Sequence, residues 1–202
     1  MKKDALLVVD VQNDFCPGGS LAVPEGDRVV PVLNRYLEKF QVARLPIFAS
    51  RDWHPPTTKH FKAYGGIWPP HCIAESRGAA FHALLKLPTE TVVVSKGTQP
   101  DSDGYSACEG KTDKGETLSD IFFEKSIQTL YVAGLATDYC VKATVLDALA
   151  RGMEVYVLTD AIRAVNAQKG DAESALAEMK AKGANLLTLN DYRKTAQEKN
   201  AR

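Results

Sequence analysis

The sequence predicts a three-layer α/β fold: a doubly wound, mainly parallel six-stranded sheet with helices on both faces. Two observations lead there. Short, valine-rich apolar runs alternate with helical patterns along the whole chain, which is the pattern of a parallel sheet built through crossover helices. The runs are continuously apolar, as strands covered on two faces must be. The 202 residues are 45% hydrophobic and 25% charged, an ordinary globular composition. With no repeat, low-complexity tract or linker, they read as a single domain over 1–202.

The first strand is Leu6–Val9, a buried-type run flanked by charge. A turn-rich loop, Cys16-Pro17-Gly18-Gly19-Ser20, follows it. Asp27 is placed to cap a helix whose Val29, Val30, Leu33, Leu37 and Phe40 recur near the 3.6-residue period, and Pro31 falls in its first turn, where a missing N–H costs little. Further strands are expected at Leu45–Ser50, Thr91–Ser95, Thr129–Ala133, Glu154–Leu158 and Asn185–Leu189. Helical patterns lie around Ala79–Leu85, Leu118–Glu124, Asp138–Arg151 and Ala172–Lys182, and Gly152 and Gly183 stand where C-terminal caps belong. Two connections, Arg51–Ser76 and Lys96–Gly115, are far longer than usual. Long loops after strand ends carry function, and ligands of such sheets bind beyond the carboxyl ends of the strands.

Composition narrows the function class. Lys and Arg total 25, as do Asp and Glu, so the formal net charge is zero and no basic footprint for nucleic acid exists. The longest stretches free of charge, Ala63–Ala74 and Ser126–Thr137, are 12 residues, too short to span a bilayer. The N-terminal apolar run stops at Asp10 without a cleavage pattern, so no secretory signal is read. The four cysteines form no CxxC pair, which argues against zinc-ribbon and thioredoxin-type sites. Reduced cysteines in a soluble cytoplasmic protein are the expectation, and a homo-oligomer is compatible with it.

Three residues could deliver chemistry to one rim. Cys140 lies in Gly134-Leu135-Ala136-Thr137-Asp138-Tyr139-Cys140-Val141, after a strand and in the first turn of a helix capped by Thr137 or Asp138. Orphan N–H groups and the helix dipole would stabilise a thiolate or an oxyanion there. Asp10 ends the first strand as a potential general base, and Lys96 ends the third, where it could hold Asp10 ionised. Each also has a plain reading: a small buried cysteine, a loop-capping Asp, a solvated lysine. A second constellation is Asp52-Trp53-His54, His60 and Trp68-Pro69-Pro70-His71-Cys72, a mixed imidazole–carboxylate set suited to zinc, iron or manganese. His82, on the predicted helix beyond, suits a surface or packing role. Phe15, Trp68 and Tyr105 could wall a pocket for a flat ring.

Together these segments resemble the nicotinamidase/pyrazinamidase branch of the isochorismatase-like cysteine hydrolases. The residues that carry the resemblance are Val9-Asp10-Val11-Gln12-Asn13-Asp14-Phe15, Asp52-Trp53-His54, Trp68–Cys72, Lys96-Gly97, Asp103-Gly104-Tyr105-Ser106 and Gly134–Val141, in family order. The resemblance implies an Asp10–Lys96–Cys140 triad that hydrolyses a small aromatic amide through a thioester. It implies an oxyanion hole from the Ala136 and Cys140 backbone N–H groups, with a cis Leu135–Ala136 bond. It also implies one divalent metal ion, zinc first and iron or manganese as alternatives, on Asp52, His54 and His71 with His60 as fourth ligand. Phe15, Trp68 and Tyr105 match the family's pocket positions. Cys108 departs from the pattern, standing near the expected pocket wall where an aromatic often follows Tyr-Ser-Ala. Isochorismatase, carbamoyl or ureido amidohydrolase, and a non-catalytic ring-binding module are the competing readings.

Overall fold

A computed structural model of the chain describes residues 3–192. Its strands are β1 (Lys3–Val9), β2 (Ile47–Asp52), β3 (Val92–Lys96), β4 (Ile127–Leu135), β5 (Glu154–Arg163) and β6 (Asn185–Leu187). The helices are α1 (Val29–Val42), α2 (Leu118–Glu124), α3 (Lys142–Ala150) and α4 (Asp171–Ala181). The strands form one sheet in the order β3-β2-β1-β4-β5-β6, and every pair is parallel rather than mainly so. No helix among the described residues is long and apolar enough to cross a membrane.

The period-two geometry of β1 explains the layers. Leu6 and Val8 point into a core with Val29, Val30, Leu33, Leu37 and Phe40 of α1. Ala5, Leu7 and Val9 point into a second core with Leu118, Ile121 and Phe122 of α2, Val145 and Ala148 of α3, and Met179 of α4. All five β1 residues are fully buried, so the run has no polar alternation to show. Each large aliphatic side chain removed from water contributes about 1.5–3 kcal/mol, which is why the predicted helical stripe of α1 docks as it does.

Several local expectations differ. Asp27 does not cap α1: residues Gly26–Arg28 form a 3₁₀ turn, and α1 starts from Arg28 with no side-chain cap. No helix forms over Ala79–Leu85. Its backbone is drawn out to serve the loop after β1, with Asn13 N–H donating to Ala80 O, His82 N–H to Val11 O, and Gln12 bridged to Phe81. The helix expected over Asp138–Arg151 opens as a π-helical turn, Thr137–Val141, before α3 begins. Neither Thr137 nor Asp138 caps it. Asp138 instead accepts N–H bonds from Val165 and Asn166, tying the turn to the loop after β5. β6 ends at Leu187, and Leu189 N–H turns away to donate to Asp160.

The sheet order places a topological switch between β1 and β4, whose carboxyl ends part there to form a crevice. Beside it lies Gly134, where a Cβ would stand 2.0 Å from Val9 O and φ is +122°. Only glycine allows that contact. Just beyond it emerge Asp10, held at φ +48°, and the turn that carries Cys140. A non-glycine residue at positive φ is uncommon and clusters at functional sites.

Candidate active site

Asp10, Lys96 and Cys140 are at most 7% exposed and meet over the carboxyl edge of the sheet. Lys96 Nζ lies 2.7 Å from Asp10 Oδ2 and 3.4 Å from Cys140 Sγ. It also pairs with Asp52 Oδ1 and donates to Gly104 O at 2.7 Å. An ammonium has three protons, and here they point to Asp52 Oδ1, Gly104 O and Cys140 Sγ, while Asp10 Oδ2 is held as an ion pair. Ser50 Oγ donates to Asp10 Oδ1 at 2.7 Å, which turns Oδ2 toward Lys96 and the thiol. Asp10 Oδ2 is ion-paired with Lys96 but lacks an aligned hydrogen bond, leaving a lone pair able to accept the Cys140 proton. Ligating atoms of Asp10, Asp52 and Cys140 lie within 4.8 Å of one another.

Electrostatics set the resting protonation. Burial pushes Asp10 up to about 6, Lys96 opposing and Asp52 reinforcing the rise. Burial likewise raises the Cys140 thiol well above its usual value, more than Lys96 lowers it. Burial thus works against the thiolate that the helix terminus is expected to favour, and holds the sulfur toward its thiol form beside the Asp10 carboxyl. Burial alone would lower Lys96, yet Asp10 and Asp52 hold it well above the ordinary range. For Asp52, burial is outweighed by Lys96 and His54, and its carboxyl stays below the usual range.

A second cluster adjoins the first through Asp52. His54, His60 and His71 are buried, with ligating nitrogens within 4.8 Å of one another. Each ring is anchored through Nδ1: His54 to Gly97 O at 3.0 Å, His60 to Asp103 Oδ1 at 2.8 Å, His71 to Pro69 O at 2.8 Å. Nδ1–H donation to an oxygen leaves Nε2 with its lone pair, the usual state of a metal-ligating imidazole. Asp52 Oδ2 lies 3.6 Å from His54 Nε2 and 3.9 Å from His71 Nε2. Burial keeps His71 neutral, pushing it down to about 4, and lowers His60 too. His54 Nε2 is buried without a hydrogen-bond partner, which is costly unless a cation takes its lone pair. Two buried carboxylates beside a single ammonium leave negative charge that a dication would balance. The residues fit a divalent metal ion.

Both clusters open on a cavity of about 380 Å³, mouth included, lined by Phe15, Asp52, His60, Trp68, His71, Tyr105, Ala136 and Cys140. Leu21, Val23, Tyr139 and Val165 complete its wall. Sequence reasoning had not selected these four. Tyr139 could have been found from its place beside Cys140, whereas Val165 has no local signal. Trp68 Nε1–H donates to Tyr105 OH at 2.9 Å, and Tyr139 packs edge-on against Trp68, so three aromatics brace one wall. The Leu135–Ala136 peptide is cis. Cys108, expected near the pocket wall, does not line the cavity; it is buried near Asp147 and Arg151. His82 lies outside both clusters, its Nδ1 accepting from Leu84 N–H.

A cleft at the switch of a parallel sheet, holding acid, amine and thiol, is a site of hydrolytic enzymes, and the chain belongs to the isochorismatase family, whose domain it matches over residues 4–191. It is 44% identical to the nicotinamidase of Escherichia coli (strain K12), across 96% of this chain and 99% of that protein. The pyrazinamidase of Pyrococcus horikoshii, solved in complex with zinc, superposes with a TM-score of 0.85 at 44% identity, covering 93% of this chain and 99% of the other. PnC1 from L. infantum, solved in complex with nicotinate, gives a TM-score of 0.82 at 33% identity over 94% of each chain.

Proposed function

We propose that this chain is a metal-dependent cysteine amidohydrolase that converts nicotinamide to nicotinic acid and ammonia, a salvage step toward NAD, and that it also accepts pyrazinamide. The observation that carries this reading is the meeting of Asp10, Lys96 and Cys140 on one side of an aromatic cavity. Binding alone would need no thiol beside a base. The relatives that are nicotinamidases and a pyrazinamidase, and the neighbour that holds nicotinate, support the choice of ring amide.

Asp10 takes the Cys140 proton as the sulfur attacks the carboxamide carbon, so the thiolate is created only when it is used. The oxyanion of the tetrahedral intermediate is held by the Ala136 and Cys140 backbone N–H groups. Asp10 passes its proton to the departing nitrogen, releasing ammonia and leaving a thioester. Water then gives a proton to Asp10 and attacks the thioester carbon. Collapse of the second intermediate breaks the C–S bond and releases the carboxylic acid, and Asp10 returns its proton to the departing sulfur, restoring the thiol and the carboxylate. A carboxyl near 6 suits both duties, being ionised at neutral pH yet basic enough to accept. Lys96 keeps Asp10 charged and adds positive charge where negative charge develops. Asp52, His54, His60 and His71 would hold the divalent ion, zinc first, which when bound supplies Lewis-acid orientation of the substrate. Phe15, Trp68 and Tyr105 fix the ring against the nucleophile.

The test is an ammonia-release assay across nicotinamide, pyrazinamide, isochorismate and carbamoyl substrates, with elemental analysis of the same preparation. Equimolar ammonia and nicotinic acid, with an acyl adduct on Cys140 by mass spectrometry, is the expected result. Vinyl-ether hydrolysis of isochorismate without ammonia release would overturn the proposal.

A further inference from the structure

The cavity, the two clusters and the pocket wall are accounted for by the reading above, but the stretch of the long β3–α2 connection around residues 100–105 is not. It touches every part of the site in consecutive residues. Asp103 Oδ1 takes His60 Nδ1 at 2.8 Å, Gly104 O takes Lys96 Nζ at 2.7 Å, and Tyr105 OH takes Trp68 Nε1 at 2.9 Å. The stretch is fastened to the segment before His60 as well. Lys59 N–H and Thr58 Oγ1 both donate to Pro100 O, at 2.8 and 3.2 Å, and Lys59 Nζ pairs with Asp101 at 2.5 Å. Gly104 lies at φ +64°, with its Cα face against Gly97, where a Cβ would come within 2.2 Å of Gly97 N. Gly97 in turn supplies the carbonyl that anchors His54.

Three of the four metal-facing side chains are held by a strand or by a backbone carbonyl. Asp52 ends β2, His54 follows it by two residues and bonds Gly97, and His71 bonds Pro69 in its own turn. His60 alone is oriented by a carboxylate, and that carboxylate belongs to the other long loop. We propose that Asp103 is a positioning residue that fixes the tautomer and ring angle of His60, so that the fourth metal ligand is supplied only when the loop of residues 100–105 is docked. This rests on the metal-site part of the proposed function and names the residue that completes it. The physical basis is general: a carboxylate accepting Nδ1–H pins the imidazole and raises the basicity of Nε2, and loss of such a partner costs about 10–100-fold in metal affinity. The Asp103 side chain is 64% exposed, where water competes for the hydrogen bond, so the effect belongs at the lower end of that range.

The experiment is zinc affinity of the full chain, measured by competition with a chromophoric chelator, for wild type, Asp103→Ala, Asp103→Asn, His60→Ala and the His60/Asp103 double variant. Asp103→Ala should weaken zinc about tenfold. Asp103→Asn, which keeps a neutral acceptor, should weaken it less. In the His60→Ala background the Asp103→Ala change should be silent within twofold, because its effect acts through that ring. A change below twofold in Asp103→Ala, or an equal loss with and without His60, overturns the inference and leaves the hydrolase reading standing. A wild-type chain that takes no zinc overturns both this inference and the metal part of the proposed function. Melting temperatures of the metal-free variants should agree, showing that the loss is not one of folding.

Discussion

The two ends of a single strand are a sharp comparison in this molecule. Along β4, Leu130, Val132 and Ala133 are fully buried in apolar surroundings. Just beyond its carboxyl end, Lys96 pairs with both Asp10 and Asp52 beside the Cys140 sulfur, all of them buried. Burial stabilises the first region at about 25 cal/mol per Å² of apolar surface. In the second it penalises every charged group, and only pairing makes it tolerable. The fold thus pays at its carboxyl rim for an arrangement that packing would never select. A site whose groups are expensive to bury is one maintained for chemistry.

That contrast can be broken most severely at the sulfur. Cys140→Ala should reduce amide turnover by about 10⁴-fold or more, since only the covalent step needs it, and leave ring binding and the denaturation midpoint near wild type. Leu130→Ala should do the reverse, costing about 2–5 kcal/mol of stability with kcat within a few-fold of wild type at a temperature where the protein stays folded. Turnover retained by the alanine variant at position 140 would remove the nucleophile from the mechanism.

Lys96 belongs to both halves of the comparison. Lys96→Met keeps the side-chain volume but leaves two buried carboxylates without their ammonium, so it should cost about 3–5 kcal/mol as well as most of the activity. The sign of its pH dependence is fixed. Without the cation, Asp10 and Asp52 bind protons more tightly folded than unfolded, so stability of the variant should recover as pH falls toward 4. A chemical-denaturation series from pH 7 to pH 4.5 measures this. A midpoint equal to wild type at neutral pH would make Lys96 a bystander.

How much of this was legible beforehand follows the same physical divide. The strands were readable because β1, β4 and β5 are covered on two faces and so show unbroken apolar runs, and α1 because its stripe of Val29 to Phe40 keeps one period. The site residues were readable because Asp10, Lys96 and Cys140 interrupt or follow such runs with groups that packing disfavours. The stretch Ala79–Leu85 misled because its apolar spacing resembles a helix, while its N–H and C=O groups are engaged by residues 11–13, a tertiary demand no local pattern encodes. The π turn before α3 was hidden for a related reason: Thr144 Oγ1 donates to Cys140 O and accepts from Ala107 N–H, so the turn is shaped by a loop 37 residues away. Val165 lines the cavity with its N–H held by Asp138, 27 residues back in the chain. Residues placed by long-range hydrogen bonds to loops leave no periodic trace.

The mildest expected effect is on the acid side of the rate profile. Asp10 works as a base only when ionised, and burial raises its carboxyl to about 6. The ionised form is therefore present above that value and lost below it, so kcat/KM for the amide should be level near neutrality and fall about tenfold per unit as pH drops below 6. Ser50 sharpens the assignment. Its hydroxyl donates to Asp10 Oδ1 at 2.7 Å and favours the charged form. Ser50→Ala should move the acid limb upward by a fraction of a unit, and Ser50→Thr, which keeps the hydroxyl, should restore it. The groups facing Asp10 from other elements, Lys96 on β3, Asp52 on β2 and Cys140 in the π turn, are unchanged in both variants. An acid limb that stays in place in Ser50→Ala would mean that a group other than Asp10 controls the proton.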